Sequence, residues 1–293
     1  MPFKSGFVNI IGKPNVGKST LINAMVGEKV SIVTPKVQTT RQRIMGILNS
    51  EDYQIVFSDT PGIMKPRYLL QESMMKYVSA ALEDADIVLY MVEATESPAD
   101  HEDFADRLSR LEVPLFLVIN KADLTEQPKL EALIRDWEAK FPQAAVIAIS
   151  ALHTFNLQKL LDKIIDHLPE HPPYYPHEMY TDKSERFLVS ETVREKIFTQ
   201  FRQEIPYSIE VNVIEFKEEE AIIRIEGEII VNRQSQKPIV IGNKGEALKR
   251  VGTAARKELE EVFNKKVFLK LFVKVRENWR EKPVFLKNFG YDV

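Results

Sequence analysis

The 293-residue sequence contains no cysteine. Disulfides, thiolate-bound zinc and a cysteine nucleophile are therefore excluded, and the composition suits a reducing compartment. No uninterrupted apolar run approaches the ~20 residues that a membrane-spanning helix needs. The opening stretch, MPFKSGFVNIIGKP, has neither a long apolar core nor a small-residue cleavage site, so no secretory signal is expected there. No short repeat marks a solenoid. Net charge is also small, -3 at pH 7, but it is unevenly spread. From Pro238 onward, 13 Lys and Arg face 7 Asp and Glu, which leaves 27 and 36 in the rest of the chain. A basic end on an acidic body fits contact with a polyanion, and equally a solvated helix face. The 44% hydrophobic and 28% charged content is that of a globular chain, which excludes disorder as the main state, and the length suffices for two domains.

The first half alternates apolar runs with helical patterns. GFVNIIG, YQIVFSD, ADIVLYMVE, VPLFLVIN and AAVIAIS read as strands, and helices are expected near Lys18–Val26 and Leu69–Leu82. Runs apolar on both faces suit central strands of a parallel sheet covered on both sides. Such a doubly wound α/β sheet binds its ligand at the carboxyl ends of the strands. The pattern breaks at LPEHPPYYPHEMYTD, where Pro169, Pro172, Pro173 and Pro176 disfavour helix and sheet interior. Beyond it come an amphipathic stretch (Ser184–Gln203), strands SIEVNVIEF and AIIRIEGEIIV, the short run PIVIG, a helix from about Glu246 to Phe263, and strand VFLKLFVKV. This α-β-β-α-α-β order sets the second half apart. The reading is two domains: 4–171, a linker at 172–185, and 186–293.

Residues 12–19, GKPNVGKS, match the phosphate-loop pattern G-x-x-x-x-G-K-[ST] between a predicted strand and a predicted helix. Gly12 and Gly17 let loop amides turn onto phosphate oxygens, and the helix start adds free N–H groups and a positive dipole end. Lys13, Pro14, Asn15, Val16 and Thr20 complete the cradle. Lys18 is expected on the β and γ phosphates, and the Ser19 hydroxyl on Mg²⁺. Asp59-Thr60-Pro61-Gly62 ends a strand, where the carboxylate can hold water of the Mg²⁺ shell and the Gly62 amide can meet the γ-phosphate. Asn120-Lys121-Ala122-Asp123 ends another. Asp123 can accept two hydrogen bonds from guanine, a donor pair that adenine lacks. Asn120 can tie this segment to the phosphate loop, the Lys121 stem can cover the base, and after Ser150 the Ala151 amide can meet guanine O6. In VQTTRQR, Thr40 or Thr39 can bind Mg²⁺, with Thr40 preferred. These motifs in this order, each at a strand end, read as a site that binds and hydrolyses GTP. DTPG is followed by Ile63 where a glutamine would orient water, so slow intrinsic turnover is expected.

Gly242-Asn243-Lys244-Gly245 reads as a turn on which a nucleic-acid backbone can approach closely, clamping about four nucleotides. Lys244, Lys249 and Arg250 can neutralise phosphates there. Ile239 and Ile241 are expected in the core, and Trp279, Phe285, Phe289 and Tyr291 are expected to staple the chain end to its domain.

Together GKPNVGKS, QTTR, DTPG, NKAD, SA and PIVIGNKGEALKRVGTAARKELE resemble the Era-type GTPase family with a C-terminal type II KH domain, over nearly the whole chain. The resemblance implies a doubly wound P-loop GTPase domain followed by an α+β KH domain, with GTP/GDP and Mg²⁺ as ligands. Lys18, Thr40 and Gly62 would carry catalysis. It implies binding near the 3′ end of 16S rRNA and a role in assembly of the small (30S) ribosomal subunit. It further implies a cytoplasmic monomer with peripheral contact at the inner face of the membrane. Relatives with an asparagine in the phosphate loop bind K⁺, and Asn15 matches that position.

Overall fold

The computed structural model describes residues 2–293. Its elements run β1 (Lys4–Gly12), α1 (Lys18–Val26), β2 (Ile44–Asn49), β3 (Tyr53–Asp59), α2 (Leu69–Glu83), β4 (Ile87–Glu93), α3 (Glu102–Ser109), β5 (Leu115–Asn120), α4 (Gln127–Lys140), β6 (Ala145–Ala148) and α5 (Leu157–His167). They continue with α6 (Glu185–Gln200), α7 (Ile205–Ser208), β7 (Ile209–Glu218), β8 (Ile222–Val231), α8 (Gln236–Ile241), α9 (Glu246–Val262), β9 (Lys266–Val275) and α10 (Pro283–Asn288). Two compact units result. The first runs through Ser31, then Thr40–Lys65 and Met74–Asp182; the second joins Ile32–Thr39 and Pro66–Ser73 to Lys183–Val293. Among the described residues no helix is long and apolar enough to cross a membrane.

In the first unit a six-stranded sheet has the order β2-β3-β1-β4-β5-β6. All its pairings are parallel except that of β2 with β3. Every residue of β5 is buried, as a strand covered on both faces requires. One core layer packs Val88, Tyr90 and Val92 of β4 and Leu117 and Ile119 of β5 against Leu108, Trp137 and Phe141. Parallel register brings the strand ends to one edge: Ile10 faces Asp59, and Glu93 faces Asn120. The antiparallel β2 is absent from the strand reading of the sequence. It is short, its pattern is mixed, and a polar loop precedes it.

The stretch expected as linker is hydrogen-bonded to the first unit as far as Asp182. Gln54 Oε1 accepts from the amides of Tyr174 and Tyr175, at 2.7 and 3.0 Å. Thr181 bridges Gly46, and the Ile47 amide donates to Tyr180 O at 2.9 Å. The unit boundary falls between Asp182 and Lys183. Prolines that cannot enter a sheet interior can still run along its rim, and this is where they lie.

The second unit holds a three-stranded sheet, β7-β8-β9, with β7 and β8 antiparallel and β8 and β9 parallel. Val193 and Ile197 of α6, Val251 and Ala255 of α9, and Ile229, Val231 and Val273 of the strands form its core. PIVIG lies mostly within α8 and is not a strand, so strand alternation does not apply. Val240 is fully buried, while Ile239, expected in the core, is 49% exposed. The terminal aromatics do staple the end. Trp279 is buried, donates Nε1–H to Ser208 O at 3.0 Å and meets Phe289 edge-on, and the Tyr291 hydroxyl donates to Glu210.

Candidate functional site

The phosphate loop leaves β1 at Gly12 and enters α1 at Lys18. Gly17 has φ +102°, and a Cβ there would lie 2.2 Å from Asn120 Nδ2. A side chain is thus excluded twice, by conformation and by space. Asn120 fills that space. It donates to Val16 O at 2.7 Å and accepts from the Ala151 amide at 2.9 Å. One side chain therefore binds three motifs into a single body, as expected for tying NKAD to the phosphate loop. The Ala151 amide, expected on the base, is engaged by Asn120 in this structure.

Lys18 is buried and donates to the carbonyls of Gly12 and Lys13, at 3.1 and 2.9 Å. Burial lowers its ammonium to about 8, against the charges of Asp59 and Glu96. Ser19 Oγ donates to Asp59 Oδ2 at 2.6 Å, and Thr40 Oγ1 lies 3.1 Å from both. Burial raises the Asp59 carboxyl, while the bond from Ser19 and the charge of Lys18 pull it down. Its other oxygen, Oδ1, is buried with no hydrogen-bond partner among the described residues. Three converging oxygen donors and an orphaned carboxylate oxygen beside a phosphate loop fit Mg²⁺, a hard cation that takes carboxylate, hydroxyl and phosphate oxygens. Of the two candidate threonines, Thr40 is the one brought to Ser19 and Asp59. Thr39 lies in the second unit, bonded to Thr34 and Lys36 O, with its own carbonyl accepting from Arg194 Nη2 at 2.5 Å.

Within the DTPG motif the roles divide. The buried Thr60 hydroxyl donates to Ile10 O at 2.7 Å, pinning β3 to β1. Gly62 lies against Pro14 of the loop. The Ile63 amide donates to Gly12 O at 3.0 Å, and its side chain packs on the core. No side chain at that position can orient water. Asn15 stands exposed on the loop at φ +64°. At the base end, Ser150 Oγ donates to Asp123 Oδ1 at 2.5 Å, and this bond leads in holding the Asp123 carboxyl below its ordinary value. The sequence reading passed over two acids, Glu93 at the end of β4 and Glu96 in the loop after it. Glu93 holds Lys121 at 2.7 Å and Glu96 holds Lys13 at 3.3 Å. An acid ending a central strand was the available signal.

In the second unit, Gly242 and Gly245 have φ of +76° and +81° and bracket an exposed Asn243 and Lys244. Lys249 and Arg250 are exposed on the first turns of α9. The turn and the start of α9 present cations to solvent with no aromatic among them.

A phosphate loop, three converging oxygen ligands that fit Mg²⁺ and an NKAD turn on a doubly wound sheet, followed by an α+β unit with a GxxG turn, define a GTPase joined to a KH module. Family models agree, matching residues 7–121 as a 50S ribosome-binding GTPase and 204–280 as a KH domain. GTPase Era of Geobacter metallireducens is 45% identical over 99% of this chain and 98% of its own, and that of Carboxydothermus hydrogenoformans 43% identical over 99% of each. Two solved structures superpose with a TM-score of 0.95 over 99% of this chain and 100% of theirs. One is a variant of Aquifex aeolicus Era bound to GDP·AlF4⁻, 43% identical; the other is Era with MgGDPNP and nucleotides 1506–1542 of 16S ribosomal RNA, 42% identical. The chain belongs to the Era family and is a GTPase.

Proposed function

We propose that this GTPase binds the 3′ end of 16S rRNA through its KH turn and acts in assembly of the small ribosomal subunit. The observation that carries the reading is the joint presence of MgGDPNP and 16S nucleotides 1506–1542 on a relative that matches this chain end to end. The exposed turn at Gly242–Gly245 supports it, because a GxxG backbone lets single-stranded RNA approach closely. Lys244, Lys249 and Arg250 would neutralise its phosphates.

In this reading, the backbone amides of the phosphate loop, from Asn15 to Thr20, cradle the phosphates of GTP together with Gly12, Lys13 and Pro14 of its first turn, Asp123 and the NKAD segment take the base, and Ser19, Thr40 and Asp59 hold Mg²⁺. Phosphoryl transfer rests mainly on positioning and on neutralising charge. Mg²⁺, when bound, supplies charge at the phosphate oxygens. Lys18 brings a second cation to the β and γ phosphates, and the Gly62 amide faces the γ-phosphate. With Ile63 turned into the core, the attacking water is held by backbone groups, and intrinsic turnover is slow. K⁺ beside Asn15 would add charge at the phosphates. Faster hydrolysis in K⁺ than in Na⁺, lost in Asn15→Ala, is the expected result; equal rates in the two salts remove K⁺ from the account. Cytoplasmic residence with peripheral membrane contact belongs to the same proposal, and co-sedimentation of RNA-free protein with vesicles tests it.

The matched GTPase family is described by the large subunit, whereas the relative carries small-subunit RNA. Crosslinking with sequencing of bound RNA, in GTP and then in GDP, separates the two. Enrichment of the 16S 3′ end supports the proposal. Enrichment of large-subunit RNA instead overturns it.

A further inference from the structure

The end of β4 and the loop that follows it, Glu93-Ala94-Thr95-Glu96, reach two separate nucleotide motifs. At the first residue, Glu93 Oε2 lies 2.7 Å from Lys121 Nζ, and Thr95 Oγ1 donates to Glu93 Oε1 at 3.1 Å. At the last, Glu96 Oε1 lies 3.3 Å from Lys13 Nζ in the phosphate loop. The segment is closed on itself. The Glu93 amide donates to Glu96 Oε2 at 2.9 Å, and the Glu96 amide donates to Glu93 O at 2.9 Å. Behind it, the buried His101 brings Nε2 to 3.5 Å from Glu96 Oε2, a distance at which the contact is electrostatic. The other ring nitrogen of His101 shares a 2.6 Å bond with the Tyr90 hydroxyl, which leaves Nε2–H toward Glu96 when the hydroxyl donates. Burial works to raise the Glu96 carboxyl, but His101, the Glu93 amide and Lys13 outweigh it and hold the acid at about 2. Glu96 is therefore an anion throughout the working range.

Each lysine is a structural lever. Lys18 donates to the carbonyl of Lys13, so the place of Lys13 decides where the phosphate-binding ammonium rests. Lys121 sits at φ +62°, a left-handed conformation that is strained for a non-glycine residue and persists only where surroundings hold it. The next turn carries Asp123. Loosely held surface ion pairs contribute little, but these four side chains are each partly buried, and each lysine lies inside a nucleotide motif.

We propose that the segment 93–96 is a double clamp in which Glu96 positions the phosphate loop through Lys13 and Glu93 positions the guanine-selective turn through Lys121. Both carboxylates are positioning residues for nucleotide binding. The proposal rests on the reading that these two motifs hold the nucleotide.

Titration of the full-length protein with fluorescent GDP and IDP tests it. IDP lacks the 2-amino group, so the ratio of the two affinities reports on the base end alone. Glu96→Gln should weaken both nucleotides by roughly fivefold and leave their ratio unchanged. Glu93→Gln should weaken GDP by a similar factor, about fivefold, and narrow the ratio. Lys13→Met reads the first contact from its more exposed partner, so a poorly folded Glu96→Gln does not remove the test. Combined with Glu96→Gln, Lys13→Met should add nothing further. Fully additive losses for that pair, or native affinities and ratio in the single variants, overturn the clamp. Lys18→Ala serves as the control. Loss of binding there alongside native Glu93→Gln and Glu96→Gln rejects the clamp alone, whereas retained binding rejects the nucleotide-site reading beneath it.

Discussion

The two candidate sites are built on opposite principles. In the nucleotide site the charged and polar groups are buried, with Asp59 at 0%, Asn120 at 3% and Lys18 at 6% exposure, and every motif is tied to another by a hydrogen bond. At the GxxG turn and the start of α9, Asn243, Lys244, Lys249 and Arg250 all lie open to solvent. A buried, mutually bonded site is pre-organised for one small ligand, and its interactions act in a medium of low polarity. An open cationic turn reads a backbone by charge and shape, and each contact is weak and screened by salt. Loss of one group should therefore be severe in the first site and graded in the second.

The largest expected effect is on base choice. Asp123→Asn leaves the guanine donors without their carboxylate and should lower GTP affinity by on the order of 10³-fold while admitting xanthine nucleotides. Competition titration with XTP measures it, and an unchanged preference for guanine would place the base elsewhere. Next is Gly245→Asp. A Cβ at Gly245 meets nothing within 4 Å, so the new carboxylate projects into open space where the RNA backbone should approach, at the cost of a strained φ. RNA affinity should drop roughly 10- to 100-fold with GTP affinity kept, as filter binding and nucleotide titration would show. Gly242→Asp is the poorer choice, since its Cβ would lie 2.5 Å from that of Ala247.

Acidity offers a third, intermediate contrast. Burial lowers the Lys18 ammonium to about 8. Above that value binding must take up the proton the lysine has lost, so nucleotide affinity should fall with rising pH, by up to about tenfold per unit. Calorimetry in buffers of different ionisation enthalpy should show proton uptake above pH 8 and little below. The smallest effects belong to the open turn. Lys244→Ala and Lys249→Ala should each weaken RNA binding only a few-fold, and each should lower the slope of log affinity against log salt by about 0.7. Salt slopes unchanged in both variants would move the RNA contact away from this face.

How much of this was legible beforehand followed the same division. The buried site announces itself because pre-organisation needs particular residues at particular spacings. Gly17 must be glycine to admit Asn120, and a carboxylate must end the strand that stops at Asp59. The sheet order around β1 follows from runs apolar on both faces. What could not be read depended on partners far apart in sequence. The pairing of β2 with β3 is set by backbone groups that carry no side-chain signature, and the fastening of residues 172–182 to both strands joins Gln54 and Asp182 to partners far away in sequence. Short apolar runs do not declare their period, so PIVIG gave no warning that a helix would expose Ile239. Nor does any local pattern reveal that Glu93 and Glu96 hold lysines from two different motifs. That Thr39 and Thr40, adjacent in sequence, fall to different units also appears only in three dimensions.

The fastening of residues 172–182 bears on how the first unit can be produced alone. β2 ends the sheet, and its outer backbone groups are met by Tyr180 and Thr181, with Asp182 accepting from the Met45 amide at 2.9 Å. Truncation at residue 171 would strip that cover and leave a bare strand rim able to recruit further copies, the usual seed of aggregation. A fragment ending after Asp182 keeps its own guard, and light scattering should find it monodisperse where the shorter one precipitates.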